Sequence, residues 1–244
     1  MSTKQTLGKL PGSAFGVLEL PRLPAALLDA YRALGDLTGI CADAMDQLGI
    51  SGVVPGSVLK PTDPRARIVG QALTVRNVKV DQSVAQMVAG RVSGLADIEA
   101  HNLARPGDIL VVQGVPGVSS MGGIMATVAK RAGEAGAIVD GAVRDIDHSR
   151  AIAYPVWSSS VSPLTGKWRV RTVGINVAVT IAGIVVNPGD LVLADEVGVC
   201  FVPFARAAEV LAVAQGIAGS EQQRLAALET GISLAEFIAI KPPK

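Results

Sequence analysis

The residues best equipped for chemistry lie between positions 114 and 147 of this 244-residue chain, in the run GVPGVSSMGGIMATVAKRAGEAGAIVDGAVRDID. Four glycines, at 114, 117, 122 and 123, crowd its entry. A helix is expected over 124–131, stopped by Gly133 and Gly136, then a short buried strand over 137–139. A glycine-rich turn that opens a helix leaves backbone N–H groups without partners, and the helix dipole adds positive potential there. That combination suits a small anion. If the strand returns beside the helix, Arg144 and Asp145 arrive at the same place. Arg144 can fork onto a carboxylate, and Asp145 can hold a hard divalent cation directly or through water. His148 follows Arg144 by four residues, the spacing of one helix face, and is a candidate general acid or base. Ser119 and Ser120 can offer hydroxyls to a bound anion, but no triad makes either a nucleophile. The plain alternatives are a surface ion pair for Arg144–Asp145 and a capping residue for His148.

The elements around this stretch read as α/β. Residues 1–22 form an N-terminal arm, expected to dock on a neighbouring subunit, and 23–240 form one domain. Helices are expected over 23–34 and from Thr38 to Leu48, then a strand over 66–76 with a bulge at Gly70. Helical pieces at 81–90 and 95–104 precede a buried strand at 109–112. Asp140-Gly141 reads as a turn. After Asp147 a short helix and several strands follow to Val202, then two helices, 205–216 and 221–228. Pro-Gly-Asp recurs at 106–108 and 188–190, each time before an apolar strand. His101, near a helix end, reads as a solvent-facing histidine, and Asp195-Glu196 as a solvated turn.

Composition narrows the function. Twenty-two basic and 21 acidic residues nearly cancel and form no basic block, which argues against a nucleic-acid surface. The two cysteines, Cys41 and Cys200, are too far apart for metal-ligand spacing, so a reducing, cytoplasmic setting is expected. No apolar signal core opens the sequence, and the most apolar region, 173–186, is too interrupted to span a bilayer. G-x-G-x-x-G, G-x-x-x-x-G-K-[ST], C-x-x-C and H-E-x-x-H are all missing, which argues against a dinucleotide enzyme.

The segments PGDILVV, GGIMATVAKRAGEAGAIVDGAVRD and NPGDLVLADEVGVCFVP resemble the RraA-like family. That family includes divalent-metal-dependent 4-hydroxy-4-methyl-2-oxoglutarate and 4-carboxy-4-hydroxy-2-oxoadipate aldolases, regulators of ribonuclease activity, and proteins called dimethylmenaquinone methyltransferases. The resemblance covers about 36–229. It implies an αββα-type sandwich related to the swivelling phosphohistidine-domain fold, assembled as homotrimers or homohexamers with active sites between subunits. Arg144 would bind a pyruvyl substrate and Asp145 would anchor Mg²⁺ or Mn²⁺, while Gly122, Gly123, Ile124 and Met125 would cradle the substrate carboxylate. The family's aldolases carry an acid twenty-one positions before the arginine, and this chain has Gly123 there. Asp147, His148 or a neighbour's carboxylate, matched to Glu221, would substitute.

These residues point to a metal-dependent lyase acting on a small 2-oxo acid, by retro-aldol cleavage or by decarboxylation of an oxaloacetate-like acid. A non-catalytic regulator that docks on a partner protein is the alternative from another class, and an enolate-forming enzyme on another catabolic substrate is the third.

Overall fold

The computed structural model describes residues 4–91 and 93–240. Its helices are α1 (Ala25–Arg32), α2 (Leu37–Gln47), α3 (Val84–Ala89), α4 (Ile98–Leu103), α5 (Gly123–Ala132), α6 (Ile146–Ala151), α7 (Ala207–Glu229) and α8 (Leu234–Ala239). Its strands are β1 (Val53–Pro55), β2 (Lys60–Pro61), β3 (Ile68–Lys79), β4 (Ile109–Gln113), β5 (Ser119–Met121), β6 (Gly136–Val143), β7 (Val156–Val161), β8 (Val170–Ile175), β9 (Val179–Ile181), β10 (Ile184–Val186), β11 (Leu191–Ala194) and β12 (Gly198–Val202).

The long strand β3 joins two halves of a mixed sheet ordered β1-β12-β11-β3-β4-β6-β7-β2. On one side β4, β6 and β7 continue from it in parallel; on the other, β11 and β12 run antiparallel. Strand side chains alternate between faces, and that alternation sorts the core into layers. Leu73, Val75, Leu110, Val112, Ala137 and Val139 pack against α4 and α5 through Ala100, Leu103, Ala126 and Ala129. Their neighbours Ala72, Ile109, Val111 and Ile138 face the other way and meet Val192, Ala194, Val199 and Phe201. The opposite face of β11 and β12, with Leu191, Leu193, Cys200 and Val202, is covered by α1, α2 and α7. The order helix, sheet, sheet, helix is the expected αββα arrangement.

Several expectations needed correction. The helices expected over 205–216 and 221–228 are one, α7, because Gly216 lies on a side where nothing crowds it and does not break the ladder. Gly70 is not a bulge: a Cβ there would lie 2.1 Å from Gly107 O, so the glycine permits a close backbone approach, and the irregularity in β3 falls at Arg76/Asn77. Asp140-Gly141 does not turn the chain; β6 runs through it to Val143. The cap of α2 is Asp36, which accepts from Gly39 N, whereas Thr38 is buried inside the helix and donates to Asp195. Asp195 therefore fastens its turn to α2. Apart from these corrections, the N-terminal arm makes contacts within its own chain, Leu7 N and Lys9 N donating to Glu99 Oε2 and Oε1 at 2.7 and 2.6 Å.

Candidate active site

The glycine-rich turn and the end of β6 are brought together by parallel pairing. β5 pairs with β6, so Met121 lies beside Val143, and Arg144 N donates to Met121 O at 3.0 Å. The chain then leaves β5 into α5 and leaves β6 into α6, placing Gly122-Gly123 opposite Arg144-Asp145. Asp145 Oδ2 accepts from Gly123 N at 2.9 Å, so a carboxylate sits on the positive end of α5. Ala126 N donates to Gly122 O as the first helical bond, which leaves Ile124 N and Met125 N without intrahelical acceptors. Arg144 Nε stands 3.6 Å from Asp145 Oδ2, and both side chains are about half exposed.

Two backbone features hold this geometry. A Cβ on Gly122 would lie 2.8 Å from Asp145 Oδ2 and 3.0 Å from Arg144 Nε, so only glycine lets the pair approach the turn. Asp145 itself is left-handed, at φ 55 and ψ 38. For a residue other than glycine that conformation costs on the order of 1–2 kcal/mol, and aspartate is among the few that tolerate it.

Arg144, Asp145 and the 122–125 turn line a cleft of about 330 Å³. Ser93, Asp97, Thr165 and Lys167, which sequence reasoning did not reach, also line it. Lys167 Nζ lies 4.5 Å from the Trp168 ring centre. A cation next to a tryptophan was the available signal for that residue; Asp97 offered none. Ser119 and Ser120 line the cleft as expected; Ser119 Oγ donates to Met121 O, while Ser120 Oγ is buried without a partner. A second hollow of about 460 Å³ carries Arg65, Arg67 and Arg150, but these are committed to Asp63, Leu34 O and Thr62 O.

His148 does not line the main cleft. It flanks a shallower hollow shared with Gly123, Ile124 and Asp145, where its Nε2 meets Thr127 Oγ1 at 2.8 Å. Thr127 Oγ1 donates its one proton to Gly123 O, so His148 Nε2 must be the donor between them. The imidazole covers the Cα of Gly123: a Cβ there would lie 3.1 Å from His148 Cδ2. Asp147 turns to Arg150 in an exposed ion pair. Glu221, on α7, lies in a separate hollow with Asp43, Asp46 and Arg224, away from Asp145 of the same protomer.

His101 is buried, contrary to its solvent-facing reading. Its Nδ1 lies 2.7 Å from Glu134 Oε1, and Tyr154 OH donates to Glu134 Oε2 at 2.9 Å. Burial pulls the imidazole pKa down, but the hydrogen bond and charge of Glu134, with Asp97, outweigh it and leave His101 above its ordinary value. Burial pushes Cys41 up to about 12 and Cys200 higher still, so both thiols are inert.

The donor set suits a hard cation that keeps most of its own water. Among the described residues no group of three or more His, Cys, Asp or Glu could cage a metal. Mg²⁺ is commonly held by one or two carboxylates together with water and substrate oxygens, which one exposed aspartate can serve. Among the described residues no helix is long and apolar enough to cross a membrane.

The RraA-like family, described as Aldolase/RraA, matches residues 38–201. A Halalkalibacterium halodurans protein provisionally named 4-hydroxy-4-methyl-2-oxoglutarate aldolase is 29% identical over 197 residues, 80% of this chain and 86% of that one. The 4-hydroxy-4-methyl-2-oxoglutarate aldolase of Thermus thermophilus is 32% identical over 124 residues, 47% of this chain and 75% of its own. Among solved structures, a Pseudomonas syringae protein superposes with a TM-score of 0.76 at 29% identity, covering 91% of this chain and 97% of that one. Streptomyces coelicolor RraAS2, described as an unusual member of the RNase ES inhibitor RraA protein family, gives 0.69 at 25% identity, covering 84% and 98%. By its sequence and its fold, the chain belongs to the RraA-like family.

Proposed function

We propose that the protein is a divalent-metal-dependent carbon–carbon lyase for a small 2-oxo acid, acting by retro-aldol cleavage or by decarboxylation of an oxaloacetate-like acid. The observation that carries this reading is Asp145, held in a left-handed conformation on the N-terminus of α5 beside Arg144 and open to a cleft. The aldolase names of its relatives support it.

Asp145 would hold Mg²⁺ or Mn²⁺, and such an ion supplies Lewis-acid polarisation of the 2-oxo group. The chain's own groups do the rest. Ile124 N and Met125 N, on the positive end of α5, receive the substrate carboxylate. Arg144 would face the negative charge that grows on the 2-oxo oxygen as the C3–C4 bond breaks, its guanidinium stabilising the enolate. Gly122 keeps the floor low enough for Arg144 and Asp145 to face the substrate together.

We also propose a homotrimer or homohexamer. Ile124 and Val161, 77% and 63% exposed, form an apolar rim beside Asp145 that a second copy would cover, and Glu221 of that copy is the candidate to complete the site. The buried free thiols of Cys41 and Cys200 suit the cytoplasm. One observation favours a second reading, a non-catalytic regulator that binds a partner protein: Gly123 puts no acid beside Asp145.

The test is pyruvate release from 4-hydroxy-4-methyl-2-oxoglutarate and from oxaloacetate, with Mg²⁺ or Mn²⁺ and then with EDTA. Release that depends on metal is expected. No release from either substrate would move the protein to the regulator reading.

A further inference from the structure

Retro-aldol cleavage needs a group that takes the proton of the 4-hydroxyl, and within one protomer the residues assigned so far do not supply one. Gly123 has no side chain. Asp145 is engaged by Gly123 N and Arg144, and His148 stands outside the main cleft with Nε2 turned to Thr127. The remaining carboxyl lining the cleft is that of Asp97, only 7% exposed.

Its surroundings suit proton transfer. Asp97 caps the start of α4, where its carbonyl accepts from His101 N at 3.2 Å, so the imidazole of His101 stands one helical turn along. Burial raises the Asp97 pKa above the ordinary carboxylate value, with His101 opposing. Behind it, His101, Glu134 and Tyr154 form a buried hydrogen-bonded row that fixes the charge facing Asp97. A nearly buried carboxyl lining a cleft is the kind of group that general acid–base chemistry uses.

We propose that Asp97 is the proton carrier of the lyase reaction, taking the proton of the substrate's 4-hydroxyl and returning it to C3 of the product enolate. This rests on the lyase reading above. In the first half, the O–H bond breaks and its proton passes to the carboxylate. The O–H electron pair becomes the second bond of the new carbonyl at C4. The C3–C4 pair moves into a C2–C3 double bond, leaving the 2-oxo oxygen as an enolate. In the second half, the enolate closes back to a carbonyl and C3 takes the proton from Asp97. The carboxylate is regenerated, nothing is oxidised or reduced, and no co-reactant is needed. His101 and Glu134 are positioning residues.

Two substrates separate this role from a structural one, because decarboxylation of oxaloacetate breaks no O–H bond and its enolate can be protonated by water. Asp97→Asn should lower kcat for 4-hydroxy-4-methyl-2-oxoglutarate by about 10²–10⁴-fold, with KM little changed, and lower the oxaloacetate rate far less. Asp97→Glu should restore part of the cleavage. Should Asp97→Asn not fold, Asp97→Ser, a common residue at the start of a helix, is measured in its place. Equal losses on both substrates, or cleavage at the wild-type rate, would overturn the assignment while leaving the lyase standing. A wild-type protein that releases pyruvate from neither substrate would remove the lyase reading and this inference with it.

Discussion

The two ends of α5 handle a carboxylate in opposite ways. At the N-terminus, Asp145 accepts from Gly123 N, half exposed, with Arg144 alongside. Just past the C-terminus, Glu134 is fully buried and held by His101 and Tyr154. The helix dipole favours a carboxylate at the first place and gives no help at the second. Asp145 can therefore stand with few partners and stay open to a ligand, while Glu134 needs two hydrogen-bond partners to be buried at all. One end is built to bind and the other to hold the framework behind the cleft.

That contrast predicts which property each substitution moves. A large effect on activity is expected from Arg144→Ala. Losing a group aimed at developing negative charge costs about 10²–10³-fold in kcat, and thermal unfolding should stay at the wild-type temperature. A parallel fall in unfolding temperature would show that Arg144 serves the fold instead.

Glu134→Gln should do the reverse. Breaking a buried pair from one side costs about 3–5 kcal/mol, a Tm drop on the order of 10 °C for a chain of this size. The pH dependence follows from the raised pKa of His101. Its contribution to stability is complete below the unfolded-state value of about 6.5 and is lost as pH rises through the higher folded value. Denaturant unfolding across that window should show wild-type stability declining toward alkaline pH and a flatter profile in Glu134→Gln. A wild-type curve that rises there would contradict a charged His101.

Gly122→Ala is a smaller perturbation of the exposed end. The new methyl meets Asp145 Oδ2 and Arg144 Nε, both near the ends of side chains that can move aside. Activity should fall by about tenfold, the cost of a misplaced reacting group being up to 10², with stability nearly unchanged. The smallest effect is expected from His148→Ala: little change in cleavage rate, since the ring lies outside the cleft. It should, however, make room for Gly123→Glu, which on its own must displace the imidazole. A large loss of cleavage in His148→Ala would return the proton-transfer role to that histidine.

The same contrast explains what was legible in the sequence. The binding end of α5 is local: glycines, helix and Arg144-Asp145 lie within 25 residues, and parallel pairing of β5 with β6 folds them together as their order implies. The apolar runs of β4 and β6 likewise mark strands buried on both faces, while the sandwich itself was implied by the resemblance to the family. The buried end is not local. His101 and Glu134 are 33 residues apart, and nothing in either neighbourhood announces the pair. Asp97 lies in a short helical piece with no pattern around it, and Lys167 comes from a turn after β7. Gly70 shows the ambiguity of glycine in a strand, since bulge and close approach leave the same trace in sequence. The two Pro-Gly-Asp turns repeat in structure. Gly107 and Gly189 share a positive φ near 88–89, and Asp108 and Asp190 each accept from the backbone N–H three residues before.

The most direct test of the account is pyruvate release from 4-hydroxy-4-methyl-2-oxoglutarate in a Mg²⁺ buffer, comparing wild type with Asp145→Asn. The variant keeps size and can still accept from Gly123 N, but it loses the charge that would hold a cation. Release by the wild type that vanishes in a folded Asp145→Asn protein is the predicted result. Equal release by both would show that the carboxylate on the N-terminus of α5 is not the centre of the site.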